Sequence, residues 1–226
     1  MKIKKVLKII GIIIALLIIL VLIHTIRNYV IVTGLQSKIS NYQDSKNYHI
    51  KSVANSNDGT TNIKIDYYRK DNKQVVFIER NLNGEITKLS MYDNGERVDT
   101  FAETQDSKTA KLDSGVMMPV NIYNYLETDN KWQTLLGCIN VRIKSTNLNG
   151  KECYIVKEFL SSTSLTSEGE EIYIDKETGL FLKAMEAEII TERYYEFDKV
   201  EDSIFTEPDI SQYTLNWIDL KNNKSS

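Results

Sequence analysis

Histidine, cysteine and proline occur only twice each in these 226 residues, and glycine ten times. There is no His-Glu-x-x-His, no Cys-x-x-Cys, no Gly-x-Ser-x-Gly and no phosphate-binding glycine loop. The zinc-hydrolase, dithiol-redox, serine-hydrolase and nucleotide chemistries that depend on those spacings therefore have no footing. Aspartates do not alternate in the way a calcium loop requires. His24 reads as a residue at a membrane edge and His49 as an exposed residue heading a strand. Glu168, Glu170 and Glu171, and also Glu201-Asp202, read as solvated turns. No catalytic residue, metal or cofactor is expected, and an enzyme is not expected.

The other scarcity is local. None of the 31 Asp and Glu falls in the first 27 residues. Residues 6–26 are almost entirely Ile, Leu and Val, interrupted by Lys8, His24 and Thr25. At about 1.5 Å of rise per residue this run spans roughly 30 Å as a helix, the thickness of a bilayer's hydrocarbon core. Lys2, Lys4, Lys5 and Lys8 precede most of it and Arg27 follows it. That asymmetry predicts a single-pass signal-anchor in the cytoplasmic membrane, N-terminus inside and the rest of the chain outside. A cleaved signal peptide is the competing reading. The apolar run is long for that, no Ala-x-Ala follows it, and Val32-Thr33-Gly34 is the nearest substitute. No cysteine lies near enough for a lipid-modified terminus.

Beyond Arg27 about 23 basic residues face 31 acidic ones, a net charge near −8, a poor match to nucleic acid or other polyanions. Cys138 and Cys153 fall in this exterior part, where a disulfide is permitted. A tight hairpin at Asn149-Gly150, however, pairs Cys153 with Thr146. Two buried thiols are the alternative to a bond. Heavy use of Lys, Asn and Ile matches an AT-rich bacterial genome.

After the apolar run, Val30, Leu35, Ile39 and Tyr42 recur near helical spacing and predict a juxtamembrane helix with an apolar stripe. From Asn47 the period changes. Asp58-Gly59, Asp71-Asn72, Asn83-Gly84, Asn94-Gly95 and Asp106-Ser107 arrive about twelve residues apart, separating β-rich segments 48–54, 62–69, 74–82, 87–93, 97–103 and 109–112. This predicts an antiparallel meander. Residues 114–138, with Pro119, read as short helices or an ordered crossing. Strands resume at 140 and continue through 153–160, 171–175, 180–187 and 191–200, with a polar loop at 161–169. The total is about eleven strands.

Some strands alternate cleanly, as Ile63, Ile65 and Tyr67 do against Lys64 and Asp66. Val75-Val76-Phe77-Ile78 is apolar on both faces. That mixture fits either a curved sheet enclosing a greasy cavity or a central strand packed on both sides. If there is a cavity, Tyr67, Phe77, Met91, Ile155, Leu182 and Tyr195 are its candidate lining residues.

Several segments, in order, resemble the LolA/LppX-like superfamily of lipoprotein-carrier and lipoprotein-sorting domains. They are a helix entering a strand near residues 45–52; the hairpin Asn149-Gly150-Lys151-Glu152-Cys153-Tyr154-Ile155-Val156; Ile172-Tyr173-Ile174-Asp175-Lys176-Glu177-Thr178-Gly179-Leu180; and Phe197-Asp198-Lys199-Val200 through Phe205, Pro208-Asp209 and Tyr213. The resemblance covers about residues 35–215. It implies an α+β, mainly antiparallel β fold: an unclosed β-barrel wrapped around or packed on a helix, with a cavity for acyl chains. Some members are carriers. Others regulate an envelope-stress anti-sigma factor and sense lipoprotein or lipopolysaccharide. A transmembrane anchor departs from the free or lipid-anchored carriers and favours local sensing over shuttling.

The expected organisation is a cytoplasmic stub and anchor (1–27), a juxtamembrane helix (28–46), an extracytoplasmic β domain (47–215) and a disordered tail (216–226). The expected function is non-catalytic binding of an acyl chain or lipoprotein. The alternative is an envelope or sporulation-associated scaffold with a dry core and a protein partner. No nucleic-acid partner is expected.

Overall fold

The computed structural model describes residues 2–118, 120, 122, 130–158, 171–186 and 188–215. The element order is α1 (Lys2–Gln43), β1 (Asn47–Ser56), β2 (Thr61–Lys70), β3 (Lys73–Leu82), β4 (Glu85–Asp93), β5 (Arg97–Glu103), β6 (Lys108–Ser114), α2 (Lys131–Asn140), β7 (Val141–Leu148), β8 (Lys151–Glu158), β9 (Glu171–Asp175), β10 (Phe181–Glu186), β11 (Ile189–Phe197) and β12 (Thr214–Leu215). The mainly antiparallel β architecture with a long apolar N-terminal helix is as expected. The loop at 161–169, the tail at 216–226, and Glu168 and Glu170 lie outside the described residues. Glu171 opens β9 rather than sitting in a turn, and its carboxylate lies 3.2 Å from Lys157 Nζ.

Two compact units divide the chain. The first comprises Met1–Gln43 and Ile122–Ala187. In it, α1 is one uninterrupted helix whose N-terminal half is apolar on all sides and exposed on all sides. From Thr25 onward it gains a buried stripe of Thr25, Asn28, Val32, Leu35 and Ile39, spaced alternately three and four. The stripe differs from the expected one: Val30 is 63% exposed and Asn28 takes the inward position. Val32 and Leu35 pack with Val141, Ile143, Val156, Ile172, Ile174 and Phe181, the helix-facing side of β7–β10.

Hairpin chemistry sets the register here. Asn149 and Gly150 both have positive φ, 51° and 86°, as a type I′ turn requires, and Thr146 pairs with Cys153 as counted from that turn. Cys138 and Cys153 are free and buried, and burial pushes the Cys138 thiol up to about 11.

The second unit comprises Asp44–Asn121 and Glu188–Ser226. Its meander runs β1 to β6 in neighbouring order, with β11 antiparallel on the free side of β1. Asn83-Gly84 makes the second type I′ turn, with φ of 51° and 92°. Among the described residues a twelfth strand adds to the expected eleven: Thr214–Leu215 pairs with β6 in parallel. Two short 3-10 turns, Asp202–Phe205 and Ile210–Gln212, carry the chain there from β11.

Candidate functional site

Register sorts the side chains of β2–β6 into rows on one face. Lys64, Glu79, Lys88, Glu103 and Lys108 lie opposite one another strand by strand; so do Asp66, Phe77, Ser90, Phe101 and Ala110; so do Tyr68, Val75, Tyr92 and Asp99. The first row alternates in charge across five strands. Its contacts include Lys64–Glu79 at 3.2 Å and Lys108–Glu103 at 3.1 Å, modest exposed pairs that fix geometry more than they stabilise.

The other two rows supply a chain of rings. His49 stacks on Tyr68 with centroids 4.0 Å apart. Tyr68, Phe77, Tyr92, Phe101 and Tyr213 then meet edge to face in turn, at 6.0, 5.9, 5.8 and 5.0 Å. These are the favoured aromatic geometries. Ile204, Phe205 and Tyr213 from the C-terminal segment pack on the same cluster.

Between this segment and the sheet lies a cleft of about 340 Å³, within the range of small-ligand pockets. Phe77, Leu89, Tyr92, Phe101, Pro208 and Tyr213 form its apolar wall, and Lys64 and Lys88 stand at its rim. The segment is held by charge-assisted contacts. Tyr213 donates its hydroxyl hydrogen to Glu103 Oε1, which lowers the Glu103 pKa, helped by Lys108, and raises that of Tyr213 to about 12. Four residues before Glu103 in β5, buried Asp99 pairs with Arg97 Nη2 at 2.7 Å. Burial raises the Glu207 pKa, and its hydrogen bond and charge contact with Asp99 raise it further.

A smaller cleft of about 220 Å³ adjoins His49. Nε2 of His49 lies 2.8 Å from Asp66 Oδ1 and Nδ1 lies 3.3 Å from Glu196 Oε2. His49 is thus enclosed between two carboxylates and Tyr68, not an exposed strand residue. Half of that arrangement can be counted from sequence, because the Asp58-Gly59 turn places His49 opposite Tyr68. The other half, Glu196, comes from β11.

Of the residues singled out from sequence, Phe77 lines the larger cleft. Tyr67 and Met91 lie on the opposite face of these strands and Tyr195 lies on that same face in β11, through the pairs Tyr67↔Val76↔Met91 and Tyr67↔Ile50↔Tyr195. Tyr67 there is buried and donates to Gln74 Oε1 at 2.5 Å, and Gln74 in turn donates to Asp93 Oδ2 at 3.2 Å. In the first unit, Ile155 pairs with Tyr173 and Lys144, on the face turned from the helix, and Leu182 sits at a register shift between Phe181 and Lys183. Among the described residues no group of three or more His, Cys, Asp or Glu could hold a metal ion.

The first unit has a polar centre of its own. Asn28, fully buried, donates through Nδ2 to Val141 O at 2.8 Å and Cys138 O at 3.1 Å. His24 Nε2 lies 3.0 Å from Val141 O, and Arg27 Nη2 donates to Ile143 O at 3.2 Å. Three polar side chains spaced along α1 thus reach carbonyls at the end of α2 and the start of β7. His24 is part of a fastening rather than simply a membrane-edge residue.

No known protein-family profile matches the chain, and no curated protein does. Solved structures do. An uncharacterised conserved protein from Thermus thermophilus aligns over 81% of this chain and 98% of its own, at 9% identity and a TM-score of 0.45. A LolA superfamily protein from Nitrosomonas europaea aligns over 77% of this chain and 97% of its own, at 12% identity and a TM-score of 0.24. An outer membrane lipoprotein-sorting protein domain from Vibrio parahaemolyticus aligns over 76% and 94%, at 9% identity and a TM-score of 0.24. The chain is similar to LolA superfamily and lipoprotein-sorting structures at low identity.

Proposed function

We propose that the chain is a membrane-tethered, extracytoplasmic, non-catalytic protein that binds an acyl chain or lipoprotein outside the cytoplasmic membrane. The observation that carries this is the continuity of α1. The same helix that offers an exposed apolar run long enough to cross a bilayer also supplies Val32, Leu35 and Ile39 to the core of the first unit. A domain built on its own anchor stays at the membrane surface, which suits sensing or local capture and not shuttling. The N-terminal lysines put that surface on the outer side. In this reading residues 28–46 link anchor to domain, residues 47–215 form an unclosed barrel about a helix, and the sequence motifs shared with the LolA/LppX-like superfamily supply the ligand class.

The cleft behind Phe77, Tyr92 and Phe101 is the site we assign to the acyl chain. Its wall is aromatic, its rim carries Lys64 and Lys88, and each CH₂ buried contributes about 0.8 kcal/mol. The alternating Lys/Glu row at the rim favours a second reading, a scaffold that docks a protein partner.

Native mass spectrometry of the full chain released from mild detergent tests the choice. Retained mass of one lipid, absent from a folded Phe77→Glu variant, is the expected result. A bare protein mass that stays bare with added lipid overturns the lipid reading and turns the search to crosslinked protein partners.

A further inference from the structure

α2 is apolar on two sides. Its buried side is Thr134, Gly137 and Cys138. Trp132, Leu136 and Ile139 are 75%, 58% and 46% exposed. At about 100° per residue these three fall within roughly 60° of one another and lie about half a turn from the centre of the buried set. Lys131, Gln133 and Asn140 take the flanks. The exposed residues therefore form one continuous stripe down the helix, in a protein where scattered surface hydrophobics would need no explanation.

The fastening to α1 says where this stripe lies. Asn28 holds Cys138 O, in the last turn of α2, and His24 holds Val141 O just beyond it. His24 and Asn28 flank Ile26, where the apolar run ends. At that level α1 presents Leu22, Ile23, Ile26 and Val30, each more than half exposed. The last turn of α2 is thus held at the height where a membrane-crossing helix leaves the hydrocarbon, and both helices carry exposed apolar side chains there.

We infer that α2 is an interfacial helix whose Trp132–Leu136–Ile139 face enters the outer leaflet of the bilayer that α1 crosses. The inference rests on the anchoring half of the proposed function and is independent of the cleft. A bilayer is the occupant because the last turn of α2 is fastened to α1 where the anchor's own exposed apolar run ends. Trp132 suits the position, since indole combines a large apolar body with one N–H donor and concentrates at the headgroup boundary. Such faces sit about 5–10 Å into that boundary. With α1 as one contact and α2 as a second, the first unit is fixed in tilt and rotation against the membrane.

Tryptophan quenching in vesicles of brominated phosphatidylcholine decides the matter. In the full chain carrying Trp217→Phe, Trp132 is the sole indole. It should emit at short wavelength and be quenched more by bromines near the headgroup end of the acyl chain than by bromines near its methyl end. A companion chain with Trp132→Phe, Trp217→Phe and Leu16→Trp reports on α1 and should be quenched most by deep bromines. If Leu16→Trp is quenched and Trp132 is not, α1 is inserted but α2 is clear of lipid. Long-wavelength emission then means water, and short-wavelength emission means a second copy or another segment of the chain; either result overturns the inference. If Leu16→Trp escapes quenching, the anchor reading fails and this inference fails with it.

Discussion

A Cβ built on Gly179 would stand 2.6 Å from the backbone oxygen of Leu35 and 3.2 Å from the nitrogen of Ile39. The β9–β10 turn is therefore seated directly on the backbone of α1. Its φ of +76° demands glycine a second time. Asp175 builds the turn, its Oδ1 accepting from Glu177 N at 2.7 Å, while Lys38 of α1 donates to Lys176 O. Gly179→Ala should cost more than about 2 kcal/mol, because neither the backbone it meets nor its own φ can yield cheaply. Thermal unfolding of the full chain in detergent checks this. A variant that melts with the parent would mean that the turn does not press on the helix.

Asn28 is the matching test at the other end of the helix-to-sheet packing. Asn28→Leu keeps the volume but leaves Cys138 O and Val141 O without their amide donor, a loss of about 2–3 kcal/mol. Asn28→Asp should be worse, because an ionised carboxylate donates nothing and would face two carbonyl oxygens. Hydrogen exchange in α2 should rise in both variants. Unaltered exchange in α2 would show that the fastening lies elsewhere.

The C-terminal segment over the aromatic face should be sensitive to alkali. Tyr213 has its pKa raised to about 12 by its bond to Glu103, against an ordinary value of 10.0. A raised folded-state value stabilises below the unfolded pKa and is lost as pH climbs through the folded one. Docking of residues 201–215 should therefore weaken between about pH 10 and pH 12. Glu103 works in the opposite sense, since its lowered pKa withdraws stability as pH falls into the acid range. Tyr213→Phe should abolish the alkaline component and leave other transitions in place, as read by near-ultraviolet circular dichroism. An alkaline transition that survives in that variant would assign it to other tyrosines.

Much of this architecture is decided within a few residues of the chain. The turn pairs Asn83-Gly84 and Asn149-Gly150 adopt positive φ at both positions, and counting outward from a turn gives partners such as Cys153 with Thr146, because hairpin pairing is fixed by the turn itself. The apolar run, long enough to cross a membrane, is legible for the same reason: length and apolarity are properties of consecutive residues.

Tertiary packing decided what joins residues far apart. Asn28 carries no local mark of its inward position, because the carbonyls it satisfies belong to residues more than a hundred positions away. Val30 is apolar and fits the helical period, yet it faces outward, because the sheet touches α1 along the line through Asn28 and Val32. Tyr213 meets Phe101 and Glu103 only once the chain after β11 has crossed the sheet to pair beside β6. Hydrophobicity told that Phe77, Tyr92 and Phe101 belong to strands. The register of successive strands, fixed one hairpin after another, placed their rings on one face and made the cleft.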